Sequence, residues 1–477
     1  MEEKDTVYEE EISEESMDYE ARQELKLEEM YELLGAKKMK ALQEHLEESD
    51  AFDVAEFLTE LPQQQMIRVF RLLSKEHGAD VFAELDVPEQ EYIINSVTDT
   101  ELGSILEELY LDDTVDMMEE LPANVVARVM RISTPETRAL INQYLKYPEN
   151  SAGSIMTAEF IDLKKYMNVR ESFARIKRIG ADKETIYTCF VTSADRKLEG
   201  VVTVKNLIMA DENDIIEDIM NDVIIYATTE DDQEDVSRMF SDYNLLTIPV
   251  VDRERRLVGI VTVDDVMDVM EQEATEDIEL MAAITPSDKP YSRTPVTEIW
   301  KNRLPWLMLL MLSATFTSMI VTSFEDALAT QAALIAFMPM LMGTGGNSGS
   351  QASTAVIRSL SIGDTEPRDV LMVIWKELRV SVLCGVTLAL VNFVKMFLVD
   401  KLLLGNSDVT MMVALTVCAT VMFVVIFAKI VGCTLPMIAE KIGIDPAVMA
   451  SPLISTLTDA VSLLIYFTIA KLLLGIG

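Results

Sequence analysis

Residues Pro339–Ser353 read PMLMGTGGNSGSQAS, and the reading of this stretch decides what the C-terminal part of the chain can be. Apolar runs flank it, from Ala329 on one side and Ala352 to Leu360 on the other. It nevertheless holds Gly343, Gly345, Gly346 and Gly349 together with Asn347, Ser348, Ser350 and Gln351. Bilayer hydrocarbon offers no partner to exposed backbone N–H and C=O groups, so an interrupted helix survives there only inside protein or along a wet path. The stretch therefore predicts a broken helix lining a pore. Close helix packing through small residues is the other reading; the polar side chains weigh toward the pore.

Outward from this stretch the charge is divided sharply. Of 80 acidic and 40 basic residues, positions 305–477 carry 11 and 9, which leaves 69 acidic and 31 basic to residues 1–304. A strongly acidic soluble part thus precedes a nearly neutral apolar one. A field of this sign repels phosphate and excludes nucleic acid as a partner; a hard cation is the natural counter-species, with a solvated acidic surface as the plainer alternative. Two histidines, His45 and His77, make zinc or copper sites improbable, and Cys189, Cys384, Cys418 and Cys433 show no metal or redox spacing. The acidic opening residues predict no cleaved leader.

Five membrane spans are predicted, at 300–323, 329–358 (broken), 370–398, 409–436 and 447–474, each long enough for about 30 Å of hydrocarbon. Lys301, Arg303, Arg358, Arg368, Lys376, Arg379 and Lys441 cluster at connections that would face the cytosol. In the fifth span Asp459 lies three turns in, among Leu457, Val461, Leu463 and Leu464. A carboxylate there is costly and marks a functional site by default. Ser451, Ser455 and Thr458 accompany it, a hard-oxygen setting suited to Mg2+ or Ca2+.

Two repeats organise the soluble part. DVAEFLTELP (53–62), DVFAELDVP (80–88) and TVDMMEELP (114–122) are short amphipathic helices, each halted by a proline, and they predict a stack of helix pairs. LEGVVTVKNLI (198–208) matches LVGIVTVDDVM (257–267) at an offset of 59, each a strand running directly into a helix. From 264 onward a helix carries Asp264, Asp265, Asp268, Glu271, Glu273, Glu276, Asp277 and Glu279, with Val266, Val269, Met270 and Ile278 as its apolar side. Its like-charge i,i+4 pairs require compensation, by a divalent cation or by solvent and salt.

The strand–helix repeat resembles a tandem pair of CBS domains. The whole order of parts, with PMLMGTGGNSGSQAS and DPAVMASPLISTLTD (445–459), resembles the MgtE family of magnesium channels and transporters over nearly all of the chain after residue 25. The resemblance implies a multidomain fold: an acidic tail at 1–25, an α-helical superhelical N-domain at 26–150, an α/β tandem CBS domain at 151–263, an acidic connecting (plug) helix at 264–295, and an all-α five-helix transmembrane pore domain at 296–477. It implies a homodimer in a prokaryotic plasma membrane, multi-pass, with cytosolic N-terminal domains and the C-terminus outside. The implied function is Mg2+ uptake closed by cytosolic Mg2+, and the protein is no enzyme: no nucleophile–base set, Walker loop or histidine site appears. Asp459, Ser455, Gly343, Gly345, Gly346 and Asn347 would form the pore; Asp232, Glu234, Asp264, Asp265, Asp268, Glu273, Glu276 and Asp277 would sense Mg2+. The family's ribose-binding Thr/Ser-x-x-Asp pattern stands as Thr262 and Asp265, which would hold ATP, and is weakened to Thr203 and Asn206 in the first copy. A CBS-regulated transporter of Mn2+ or Co2+, or a non-conducting Mg2+ sensor, are the alternatives.

Overall fold

The computed structural model describes residues 19–287, 291, 294–325, 332–405, 409–449 and 451–475. The chain divides into two compact units, Met1–Val269 and Met270–Gly477. Among its described residues the first opens with ten short helices, from α1 (Tyr19–Gly35) to α10 (Pro135–Tyr144). Of the expected tail at 1–25, residues 1–18 lie outside the described residues, and 19–25 belong to α1.

The proline-punctuated repeat corresponds to α3 (Ala51–Glu60), α5 (Lys75–Ala83) and α8 (Leu111–Glu120). Pro62 and Pro122 cap the start of the helices that follow, and Pro88 sits in the first turn of the next one. A missing backbone N–H costs nothing at a helix start, so each proline ends one helix and begins another. Phe57, Leu58, Val81, Phe82, Val115 and Met118 join one continuous buried core. No helix of ten residues could bury such a face alone; each uses its neighbour.

Two three-stranded sheets follow, in the order β1 (Asp162–Leu163), β2 (Thr188–Thr192), β3 (Leu198–Thr203) and β4 (Ala227–Thr228), β5 (Thr247–Val251), β6 (Leu257–Thr262). In each sheet the first pair is parallel and the second antiparallel. The offset of 59 extends to β2 and β5 and even to the register shift, at Val191/Thr192 in one copy and Val250/Val251 in the other. The copies also exchange equivalent hydrogen bonds: the Leu198 amide donates to the Arg255 carbonyl and the Leu257 amide to that of Arg196. This is a tandem CBS pair. β3 runs into α12 (Val204–Met209), after α11 (Val169–Ile179), and β6 runs into the acidic helix α15 (Val263–Met281), after α13 (Ile216–Ile219) and α14 (Gln233–Tyr243). Val266 and Val269 of α15 are buried, whereas Met270 and Ile278 are exposed, so the expected apolar side is confined to its first two turns.

The second unit holds α16 (Val296–Ser323), α17 (Met338–Ser361), α18 (Val370–Lys395), α19 (Met411–Lys441) and α20 (Ser451–Leu474). Among the described residues four stretches are long and apolar enough to cross a membrane: Val296–Ser323, Pro367–Leu403, Met411–Lys441 and Pro446–Leu474. The polar run in α17 keeps that helix out of the set.

The expectation of a helix broken within Pro339–Ser353 is not met. α17 runs through the glycines without interruption, and the irregular backbone precedes it, as a 3-10 stretch at Ala332–Phe337. The buried Tyr466 hydroxyl donates to the Leu334 carbonyl in that stretch at 3.1 Å, satisfying a backbone group left over by the change of helix type. The glycines serve close packing instead. A methyl group at Gly345 would come within 2.6 Å of Ser462 Oγ and 2.9 Å of Val424, and one at Gly349 within 2.7 Å of Ile454. On α19, Gly432 lies directly against the Gly349 carbonyl. Small residues let the backbones of α17 and α19 touch, which is how helices associate where no hydrophobic effect separates protein from lipid.

Gly432→Ala should therefore lower the thermal unfolding midpoint of the detergent-solubilised protein, at an overpacking cost of about 1–3 kcal/mol. Gly343 has open space around it. Gly343→Ala should leave the midpoint unchanged or raise it, since alanine favours a helix by about 1 kcal/mol over glycine. Equal losses at both positions would contradict this packing.

Candidate ion pathway and cation-sensing carboxylates

α17 has two faces of opposite fate. Gly345, Gly346, Ser348, Gly349, Ala352 and Ser353 are buried, whereas Gly343, Asn347, Gln351 and Thr354 are exposed. The exposed set follows helical spacing and carries the polar side chains of Asn347, Gln351 and Thr354 beside Gly343 and Ala355, in a unit otherwise dressed in apolar side chains. Against the other edge of the helix stands α20. Its Ser455 Oγ would lie 3.1 Å from a Cβ on Gly346, and Asp459, half-buried, is one turn further along the same face.

Of the predicted pore residues, the structure brings Gly346 and Ser455 together, aligns Asp459 with Ser455, and leaves Gly343 and Asn347 on an open face. Gly345 belongs to the packing seam with Ser462 and Val424. With α17 unbroken, the carbonyls of Gly343–Gly346 are engaged in helical hydrogen bonds, so the oxygen atoms available for an ion come from side chains. The two lysines that might have neutralised Asp459 are engaged elsewhere: Lys429 with Glu377 at 3.6 Å, Lys395 with Asp400 at 2.9 Å. Among the described residues Asp459 forms no ion pair.

In the first unit the carboxylates of α15 meet others. Asp112 on α8 is buried, and its Oδ1 has no hydrogen-bond partner among the described residues. Desolvation holds its carboxyl well above the usual range, with Asp113, Asp265 and Glu184 adding repulsion. Asp113 is pushed up to about 6 by desolvation and then by Asp265 and Glu84. Glu184 rises to about 7 through desolvation and then Asp265, Asp264 and Asp113. Asp265 is itself raised by desolvation, partly offset by its bond from Thr262. Asp268 acts on Glu84 in the same sense. Asp112, Asp113 and Glu184 were not legible as site residues. The available signal was the pair Asp112/Asp116, like charges four apart on an otherwise core-forming helix.

The remaining predicted sensor residues lie elsewhere. Asp232 caps α14, accepting from the Glu234 amide at 2.8 Å, and Glu234 pairs with Arg238 at 3.4 Å. Glu273, Glu276 and Asp277 share a half-buried face of α15 in the second unit. There Asp277 accepts from Ser361 Oγ at 3.3 Å; desolvation and then Asp445 raise its carboxyl. Among the described residues no three acidic, thiol or imidazole groups converge tightly enough to ligate one ion. The carboxylates crowd electrostatically but stand short of coordination.

Thr262 and Asp265, the predicted nucleotide pair, are not in the wall of the cleft formed at Thr203 and Asn206. Thr262 is buried and its hydroxyl bonds to Asp265, which faces the acidic cluster. The open cleft of the CBS pair, about 810 Å³, lies on the first copy and includes Thr203, Lys205 and Asn206 in its wall. The two copies share the local turn; the residue at its fourth position, Asn206 against Asp265, and the surroundings differ.

Comparison with known proteins agrees with this layout. A family model described as a divalent cation transporter matches residues 338–469, one described as the MgtE intracellular N domain matches 49–150, and a CBS domain model matches 216–272. The magnesium transporter MgtE of Thermus thermophilus is 38% identical over 91% of this chain and 95% of its own length. That of Bacillus subtilis is 30% identical over 92% and 95%. A crystal structure of the soluble part of a magnesium transporter superposes with a TM-score of 0.50 at 29% identity, covering 53% of this chain and 99% of that one.

The crowded acids make a pH prediction. Asp113 and Glu184 titrate higher in the compact arrangement than in an opened chain. Their contribution favours compactness fully below the ordinary carboxylate range and is lost as pH rises through about 6 to about 7. With divalent cations chelated, the unfolding midpoint of the first unit in the full chain should fall between about pH 5.5 and pH 8. Asp113→Asn with Glu184→Gln should flatten that slope. A midpoint independent of pH in the unsubstituted chain would contradict the crowding.

Proposed function

This chain belongs to the MgtE family of divalent cation transporters, and we propose that it admits Mg2+ through a homodimeric pore which cytosolic Mg2+ closes. One observation carries the pore reading: the exposed polar face of α17, with Gly343, Asn347 and Gln351, in a unit built of membrane-length helices. Lipid accepts no such face. A second copy across a two-fold axis gives it water on one side and protein on the other, with α17 as the fifth span beside the four apolar ones. A cytosolic N-terminus then places the C-terminus outside and puts Lys301, Arg303, Arg358 and Arg368 on the cytosolic side.

Mg2+ surrenders its water reluctantly, so the ion passes largely hydrated. Asp459 supplies the charge that draws it in, and Ser455 and Asn347 hydrogen-bond its waters. Closure follows from the carboxylates of the cytosolic part. Without cations their repulsion favours an open arrangement; Mg2+ bound among Asp265, Asp268, Asp112, Asp113 and Glu184 favours the compact one. Glu273, Glu276 and Asp277 continue the acidic face of α15 toward α16, and Asp232 and Glu234 add to the field from α14. A ligand shifts such an equilibrium only through its preference for one state, which the crowded carboxylates provide. The open cleft beside Thr203 takes an adenine nucleotide, supported by its size and by a wall with one lysine and no acidic residue.

In liposomes, Asp459→Ala should abolish Mg2+ flux and Asp459→Asn reduce it severely, with the dimer still assembled by size-exclusion chromatography. Wild-type flux in Asp459→Ala would remove Asp459 from the pathway. Neutralising Asp265, Asp268, Glu273 and Glu276 together should leave the pore open at millimolar Mg2+, because ligands for the closing ion are lost while repulsion persists among the other acids. Flux measured against internal Mg2+ decides this; an unchanged response would take α15 out of the sensor.

A further inference from the structure

The open CBS cleft carries a feature that its nucleotide reading leaves unused. At the end of β3 the Thr203 hydroxyl accepts a hydrogen bond from the Asn206 backbone amide at 3.2 Å. Its own proton goes to Asn206 Oδ1, at 2.8 Å. The Asn206 oxygen is thereby turned toward Thr203. The side-chain atom left for the cleft is Nδ2, which carries two hydrogens and accepts nothing. In the second copy the equivalent residue is Asp265, whose two carboxylate oxygens both accept. An acid at this position takes hydrogen bonds donated by a ribose 2′,3′-diol. Here the diol's hydroxyls would meet donors.

The rest of the wall agrees. Among the described residues the cleft lining contains no Asp or Glu, although the chain has 80 of them, and the charged residue there is Lys205, next to Asn206. Asn206 and Lys205 are both exposed. An amide donor beside an ammonium is a phosphate-binding pair.

Resting on the nucleotide reading above, we infer that Asn206 sets the cleft's specificity: it selects adenine nucleotides whose ribose hydroxyl is esterified with phosphate, as in a 3′-phosphorylated or 3′,5′-cyclic nucleotide, over those with a free diol. The ester phosphate presents acceptor oxygens where Asn206 Nδ2 and the Lys205 ammonium present donors. A free diol can accept from the same donors, but without the charge assistance of a phosphate oxygen, and its own protons find no acceptor on Asn206 Nδ2 or the Lys205 ammonium.

The test uses two isomers with equal phosphate count, adenosine 5′-diphosphate and adenosine 3′,5′-bisphosphate. They are titrated calorimetrically into the full-length protein in detergent at fixed free Mg2+. The bisphosphate should bind at least about tenfold tighter, roughly the worth of one charge-assisted hydrogen bond. A general charge effect cannot mimic this, because the net charge of −40 repels both ligands. Asn206→Asp, on an exposed side chain at the start of a helix, should fold normally and reverse the order. Equal or tighter binding of the diphosphate by the unsubstituted protein would overturn the inference and leave the nucleotide reading intact. A bisphosphate preference unmoved by Asn206→Asp would overturn the role of Asn206. Binding of neither isomer would remove the nucleotide reading and the inference with it.

Discussion

A carboxylate withdrawn from water among other carboxylates is held in place at a cost, and the protein does this repeatedly. Asp112 has a buried oxygen with no hydrogen-bond partner, and every charged group prominent around it is another acid. Asp265, Asp113 and Glu184 press on one another across the N-domain, the CBS pair and the start of α15. In the second unit Asp459 lacks an ionic partner among the described residues, while Lys395 and Lys429 are committed to other acids. Protons or divalent cations relieve such crowding; at neutral pH and millimolar Mg2+ the cation does so more effectively. The crowded carboxylates of the first unit and Asp459 of the second thus share one feature, an acid without a cationic partner among the described residues.

The scaffold that holds these acids is otherwise conventional in its physics. Short helices share one core, and two sheets repeat down to a register shift. In the membrane part, backbone-to-backbone contact between Gly349 and Gly432 draws α17 and α19 together. That contact explains how α17 can carry polar side chains on one face and still be held firmly: its small buried residues lock it to α19 and α20, leaving Asn347 and Gln351 exposed.

Much of this was legible in the sequence. The offset of 59 foretold the CBS pair because a repeated strand–helix unit leaves a strong local trace, and Pro62 and Pro122 marked the ends of short helices because a helix tends to stop before a proline. The glycine run was legible as important but not as to kind, since a broken helix and a close-packed one demand the same small residues. Only the neighbours, Ser462, Val424 and Ile454, distinguish them. The nucleotide motif is a related case. Thr203–Asn206 and Thr262–Asp265 make the same turn, and which one borders a cleft depends on residues far away in the chain. Asp112 stayed hidden because burial of an acid against a distant acid has no local signature.

Proton release on cation binding tests the shared principle most directly. Mg2+ is titrated into the full-length protein in buffers of different ionisation enthalpy, at about pH 6.5 and about pH 8. If crowded carboxylates hold protons that the cation displaces, more protons leave per ion bound at the lower pH than at the higher one. Binding that releases no protons at either pH would contradict the account.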